Sequence, residues 1–191
     1  MPPPPPPPLF DSTVTIPPRP PMVMPLGIPT TSMADPDFGV SKITPDLHLF
    51  LSGNDFPEDL RRIGITHILN ISTTVDNPYP GITAMFINIS DGGGPIEKYF
   101  PQTYDFIQGA LDAGGKVLVH CHMGISRSAT IVIAYLMKAL NMPYVEVLAM
   151  VKAKRPIVDP CLAFTWKLME YQKELGIPSP LPSPMISPHS S

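Results

Sequence analysis

The sequence predicts an α/β fold built on a largely parallel sheet. β-rich runs alternate with helical patterns through residues 40–175, the arrangement that βαβ units produce. Val117-Leu118-Val119 is an uninterrupted apolar run, as expected of a strand in the middle of a sheet. The stretch after it, Ser128–Leu140, is apolar almost all round and so reads as a buried helix.

Taken in order, Leu47–Leu51 is a short strand and Ser52-Gly53-Asn54 the turn that follows. Pro57–Ile63 forms a short helix stopped by Gly64. His67–Ile71 and Ala84–Ile89 are strands, separated by a loop around Asp76–Gly81 rich in Pro, Gly and Asn. From Ile96 onward Phe100, Tyr104, Ile107 and Leu111 recur at helical spacing and belong to the core, and Gly114-Gly115 ends that helix. The strand Val117–His120 and the helix Ser128–Leu140 come next. Helices near Tyr144–Lys154 and Leu162–Leu175 complete the domain. The strands Ala84–Ile89 and Val117–His120, joined through a helix, should run parallel. Their carboxyl ends then share the edge at which open α/β sheets hold ligands. Asp91 follows the first strand and Cys121 the second, so the two can converge.

Composition sets the limits of the domain. The chain has 191 residues, 43% of them hydrophobic, enough for one core with extended ends. Of its 28 prolines, fourteen precede residue 40 and five follow residue 175. Residues 1–39, with Pro2–Pro8 and Pro17-Pro18-Arg19-Pro20-Pro21, lack any amphipathic period and should be a disordered tail of polyproline II character. Residues 176–191, with Ser-Pro pairs at Ser179, Ser183 and Ser187, should be a second disordered tail. The simplest expectation for both is a linker; the sharper one is a ligand for SH3 or WW modules in the first and sites for proline-directed kinases in the second. A net charge of −3 gives no reason to expect nucleic acid or an anionic membrane as partner. No apolar run reaches spanning length, since even Ala129–Leu140 is interrupted by Tyr135 and Lys138. The N-terminus lacks the basic-then-apolar pattern of a secretory signal. Two cysteines, Cys121 and Cys161, are too few for a disulfide framework, so a reducing compartment, cytoplasmic or nuclear, is expected.

The most informative stretch is His120-Cys121-His122-Met123-Gly124-Ile125-Ser126-Arg127-Ser128, between the buried strand and the buried helix. Its cysteine faces the helix N-terminus, where free N–H groups and the positive dipole end form an anion site. Such sites lower a thiol pKa from about 8.5 to roughly 3.5–7.5. The amides of His122, Met123, Gly124, Ile125, Ser126 and Arg127 would hold phosphate oxygens, with Gly124 permitting the tight turn. Arg127, six positions after Cys121, has a planar, permanently charged fork suited to two oxygens of one phosphate. Ser128 can donate its hydroxyl to the sulfur, and His120 supports the loop by hydrogen bonding. A metal site at His120-Cys121-His122 is disfavoured, because adjacent side chains on a strand end diverge.

The segment Val117–Thr130, VLVHCHMGISRSAT, resembles the active-site signature of dual-specificity protein phosphatases. Ile43–Leu51, Gly64–Ser72, Ile87–Asp91, Ala134–Lys138 and Val151–Ile157 resemble further family segments in the right order, closest to the small, atypical members. The resemblance implies the protein tyrosine phosphatase-like fold, a five-stranded sheet flanked by helices, a phosphocysteine intermediate and no metal or other cofactor. It makes Cys121 the nucleophile, Asp91 the general acid and then base, and Arg127 the phosphate clamp. The implied activity is hydrolysis of phosphomonoesters on protein Tyr and Ser/Thr, with phosphorylated proteins, kinases among them, as partners. His122, Met123 and Ile125 add no basic residue to the loop, which argues against highly charged phosphoinositide headgroups.

Two departures from the family pattern stand out. Asp91 is followed by Gly92-Gly93-Gly94, a flexible loop whose ordering should cost entropy. Pro160-Cys161 replaces the family's usual Pro-Asn, which puts local support of the phosphate loop in doubt. Lys152, Lys154 and Arg155 read as a solvated helix end, and Cys161 as structural or, less simply, as a resolving thiol for oxidised Cys121. The rival from another class is a binding module that captures phosphorylated partners with little turnover. Sulfur transfer on a rhodanese-like loop finds no support in the rest of the chain.

Overall fold

The structure, a computed structural model, describes residues 40–44, 49–52, 60–74 and 79–179. The expected tail at 1–39, most of that at 176–191, the turn at Gly53-Asn54 and the start of the helix expected at Pro57 lie outside them. In chain order the elements are β1 (Ser41–Thr44), β2 (Leu49–Ser52), α1 (Leu60–Ile63), β3 (His67–Ser72) and β4 (Thr83–Asn88). A 3₁₀ turn (Ile96–Tyr99) then leads into α2 (Phe100–Asp112), followed by β5 (Val117–His120), α3 (Arg127–Leu140), α4 (Tyr144–Lys154) and α5 (Leu162–Glu174).

The strands form one sheet in the order β1-β2-β5-β3-β4. β2, β5, β3 and β4 run parallel, and β1 lies antiparallel to β2 at the edge. The α/β class and the mostly parallel sheet are therefore as read from the sequence. β1 was not anticipated: it is four residues long, has one strand partner among the described residues, and shows too short an apolar pattern to stand out. β5 is hydrogen-bonded on both sides, to β2 and β3, so its backbone polar groups are satisfied and all four of its residues are buried.

The pleat sorts its side chains. Val117 and Val119 enter the main core with residues of α2, α3, α4 and α5, whereas Leu118 packs with Leu60, Ile65 and Ile68 on the other face. α3 is buried from Arg127 to Met137. Its run Ile131-Val132-Ile133 is β-branched and a poor intrinsic helix former, so burial holds this helix. Each such side chain removed from water contributes about 1.5–3 kcal/mol. The helix ends at Asn141, which takes the left-handed conformation at φ 53° and tolerates it better than most residues.

Phe100 and Ile107 lie in the core as expected, with Thr103 and Ala110 beside them on the interior face of α2, while Tyr104 and Leu111 are half-buried and pack against that core. The Tyr104 ring lies 5.4 Å from that of Tyr135, with Lys138 Nζ 3.9 Å above it. The packed domain continues past residue 175: Ile177 is buried, and its amide and carbonyl both hydrogen-bond to Gln172. Among the described residues no helix is long and apolar enough to cross a membrane.

For function, the decisive feature is that β4 and β5 run the same way with β3 between them. The segments leaving their carboxyl ends, toward Asp91 and Cys121, therefore emerge on one edge of the sheet.

Candidate active site

Between the end of β5 at His120 and the start of α3 at Arg127 the chain reverses tightly around Cys121. Gly124 adopts φ 66°, a region that L side chains rarely enter, and its amide donates to Cys121 Sγ at 3.3 Å. The Ser128 hydroxyl donates to the same sulfur at 3.1 Å. The amides of Met123 and Ser128 are bonded to it as well. Burial alone would push the Cys121 thiol up. The Ser128 hydroxyl and the amides of Ser128, Gly124 and Met123 outweigh burial, and the pKa falls below the ordinary thiol value. The N-terminus of α3 adds its dipole in the same sense. Of the amides assigned from sequence, those of Met123 and Gly124 thus meet the sulfur, and Ser128 contributes both hydroxyl and amide.

His120 is fully buried. Burial lowers its pKa to about 4, partly opposed by a hydrogen bond to the Cys121 backbone, so a neutral ring braces the loop. Arg127 is buried, and its Nη1 donates to the Ile89 carbonyl at 3.3 Å, tying the start of α3 to the segment leaving β4. Its Nε has no hydrogen-bond partner and stands 3.8 Å from Asp91 Oδ2. Asp91 Oδ1 accepts from the Ser126 hydroxyl at 2.8 Å. Cys121, Ser128, Arg127 and Asp91 are therefore brought together as the sequence anticipates. The side chains of His122 and Met123 are exposed, and that of Ile125 is half-buried.

The three glycines after Asp91 have structural reasons beyond flexibility. Gly92 and Gly93 sit at φ 106° and 126°, conformations open to glycine and strained for other residues. At Gly94 a Cβ would lie 2.6 Å from Ile89 Cγ1, closer than real contacts allow.

Sequence reasoning missed one residue outright. Arg155 is not a solvated helix end: it is buried, its Nε donates to the Gly124 carbonyl at 2.9 Å, and its Nη2 donates to the Met123 carbonyl at 3.3 Å. A third contact reaches Ser41 Oγ of β1 at 3.4 Å. Burial lowers its pKa while the charge on Cys121 raises it, so the guanidinium and the sulfur sense each other. The signal was available in the spacing, because Arg155 continues the buried i, i+4 row of Val147 and Val151 on α4. Farther along, the Asp159 amide donates to the Ile125 carbonyl at 3.0 Å and the Cys161 amide to Ser126 Oγ at 3.2 Å. At the Pro160-Cys161 departure the loop is thus supported by the backbone N–H of residue 161, a contact that does not depend on that residue's side chain. Among the described residues no cluster of three or more His, Cys, Asp or Glu side chains could hold a metal ion.

Chemically, the arrangement offers a sulfur whose anionic form is favoured by a ring of donors, the guanidinium of Arg155 coupled to it, and a carboxyl group at its rim beside Arg127. Comparison with known proteins agrees with that description. Residues 51–174 match the family described as dual specificity phosphatase, catalytic domain. The chain is 41% identical over 136 residues to mouse dual specificity protein phosphatase 15, covering 70% of this chain and 57% of that protein. The chain thus spans little more than half the length of that relative. The crystal structure of human DUSP28 superimposes with a TM-score of 0.68 at 29% identity, covering 72% of this chain and 95% of the other. That of DUSP15 gives 0.66 at 34% identity, with 72% and 95% covered.

Proposed function

Because the chain belongs to the dual specificity phosphatase family, we propose that it hydrolyses phosphomonoesters on protein Tyr and Ser/Thr side chains through a phosphocysteine intermediate. The observation that carries this reading is the environment of Cys121, whose sulfur receives the Gly124 amide at 3.3 Å and the Ser128 hydroxyl at 3.1 Å. In the first step the Cys121 thiolate attacks phosphorus and the bond from phosphorus to the substrate oxygen breaks. Asp91 passes its proton to that oxygen, which is a poor leaving group without it. In the second step a water oxygen attacks phosphorus while Asp91 takes up the water proton and the sulfur–phosphorus bond breaks. Ser128 then receives the sulfur as an anion. Arg127 and the loop amides balance charge on the phosphoryl oxygens throughout. The mechanism calls on no metal.

The test compares the purified chain with Cys121→Ser and Asp91→Asn on aryl phosphates near pH 6. Cys121→Ser should reduce turnover by more than ~10⁴-fold. Asp91→Asn should cost roughly 10²–10⁴-fold on poor leaving groups and far less on good ones. Equal, negligible rates in all three proteins would point to a phosphoprotein-binding module instead. On the same reading residues 1–39 serve as a ligand for SH3 or WW modules, supported by their proline runs.

A further inference from the structure

We propose that the hydroxyl of Ser126 is a positioning residue for Asp91, choosing which carboxyl oxygen carries the transferable proton and holding the Asp91 loop in place before substrate arrives. The inference rests on the phosphatase reading above, in which Ser126 otherwise contributes only its backbone amide.

Every polar atom of Ser126 beyond that amide is already committed. Its carbonyl accepts from both the amide and the hydroxyl of Thr130, each at 2.8 Å. Its Oγ accepts from the Cys161 amide at 3.2 Å and donates to Asp91 Oδ1 at 2.8 Å. A hydroxyl has a single proton. With the Cys161 N–H occupying a lone pair on one side, that proton is directed at the carboxyl group. The residue is also buried, so water competes poorly for the bond.

The consequence for Asp91 is one of assignment. In a carboxylic acid the carbonyl oxygen is the better acceptor, so the bond from Ser126 to Oδ1 favours the carbonyl role there and places the hydrogen of a protonated Asp91 on Oδ2. Oδ2 is the oxygen turned toward Arg127, 3.8 Å from Nε, and hence toward the group that would hold the phosphate. Ser126 thus aims the acidic proton at the leaving oxygen. In the second step the same oxygen is left free to take a proton from water. A second consequence is entropic. The Asp91 side chain is 45% exposed and stands before glycines at φ 106° and 126°, where the backbone alone would restrain it weakly. The bond to a buried hydroxyl, itself tied to the start of α5, bears part of the ordering cost in advance.

The test uses the full chain as wild type, Ser126→Ala, Ser126→Thr and Asp91→Asn. Each is assayed over a series of aryl phosphates from good to poor leaving groups, with the pH dependence of Cys121 alkylation by iodoacetate measured alongside. Ser126→Ala should lose ~10–100-fold on poor leaving groups, the cost of a misplaced acid, and clearly less on good ones, where the loss reports the Cys161 contact removed with the hydroxyl. KM should change little, any rise in the alkylation midpoint should be too small to account for the loss on poor leaving groups, and Ser126→Thr should restore the wild-type slope. A leaving-group slope in Ser126→Ala equal to wild type would overturn the proposal. So would a uniform loss on all substrates with a raised alkylation midpoint, which would mean that Ser126 merely shapes the Cys121 loop. If wild type turned over no aryl phosphate at all, the phosphatase reading itself would fail and this inference with it.

Discussion

The loop that carries Cys121 and the loop that carries Asp91 leave parallel strands at one edge of the sheet, but they are secured to very different degrees. Cys121 is 1% exposed, whereas the Asp91 side chain is 45% exposed. The Cys121 loop is gripped from behind through the carbonyls of Met123, Gly124 and Ile125 and the hydroxyl of Ser126, all bonded by Arg155, Asp159 and Cys161. The Asp91 segment is tethered through the Ile89 carbonyl to Arg127 and through its own carboxyl group to Ser126. The difference matches two chemical jobs. A sulfur held as an anion needs donors fixed in advance, because any donor that relaxes away returns the thiol to its ordinary pKa. A proton donor must meet leaving oxygens of different substrates, and a lightly tethered carboxyl group at the rim suits that.

The largest expected effect on this contrast comes from Arg155→Ala. It would leave the Gly124 and Met123 carbonyls without their donor, at a cost of roughly 2–5 kcal/mol in stability. It should also slow turnover on good and poor leaving groups alike, because the damage lies at the sulfur. Denaturant midpoints and a leaving-group series check both parts. Activity unchanged with stability lowered would separate the brace from the chemistry and break the comparison.

Next in size is a pH effect confined to the rigid loop. Folded His120 holds its pKa at about 4, below the value near 6.5 of an unfolded histidine. The unfolded chain therefore binds a proton that the folded chain refuses. The stability this group contributes is complete above pH 6.5 and is lost as pH falls toward 4, a change of roughly 3 kcal/mol. Urea denaturation between pH 7 and pH 4 should show that loss, and His120→Asn should flatten it.

The smallest effect belongs to the Asp91 loop. Gly93→Ala places a side chain at φ 126°, at a cost of about 1–2 kcal/mol borne locally. Turnover on poor leaving groups should fall severalfold and stability by no more than that strain, while Cys121 alkylation holds. If alkylation shifted too, the loops would be one rigid unit and the contrast would dissolve.

What could be read from the sequence divides along the same line. The apolar strand, the reversing loop with Gly124, and the buried helix are local patterns, so Cys121, Arg127 and Ser128 could be placed before any coordinates. Arg155 could not, because a guanidinium beside Lys152 and Lys154 reads as solvated unless its carbonyl partners are known, and those lie in a distant part of the chain. Its i, i+4 spacing from Val151 was the one local clue. The Ser126 hydroxyl was hidden for the same reason, since both its partners are 35 residues away. Gly92, Gly93 and Gly94 were legible only as flexible; the positive φ of Gly92 and Gly93 and the close approach of Gly94 to Ile89 are properties of the folded chain.

The central claim, that Cys121 is an anion held by preset donors, is tested most directly by the pH dependence of its alkylation with iodoacetate, read in a Cys161→Ala background. The account predicts a midpoint well below the ordinary thiol value of about 8.5, and one that moves upward in Ser128→Ala. A midpoint near 8.5 in both proteins would contradict it.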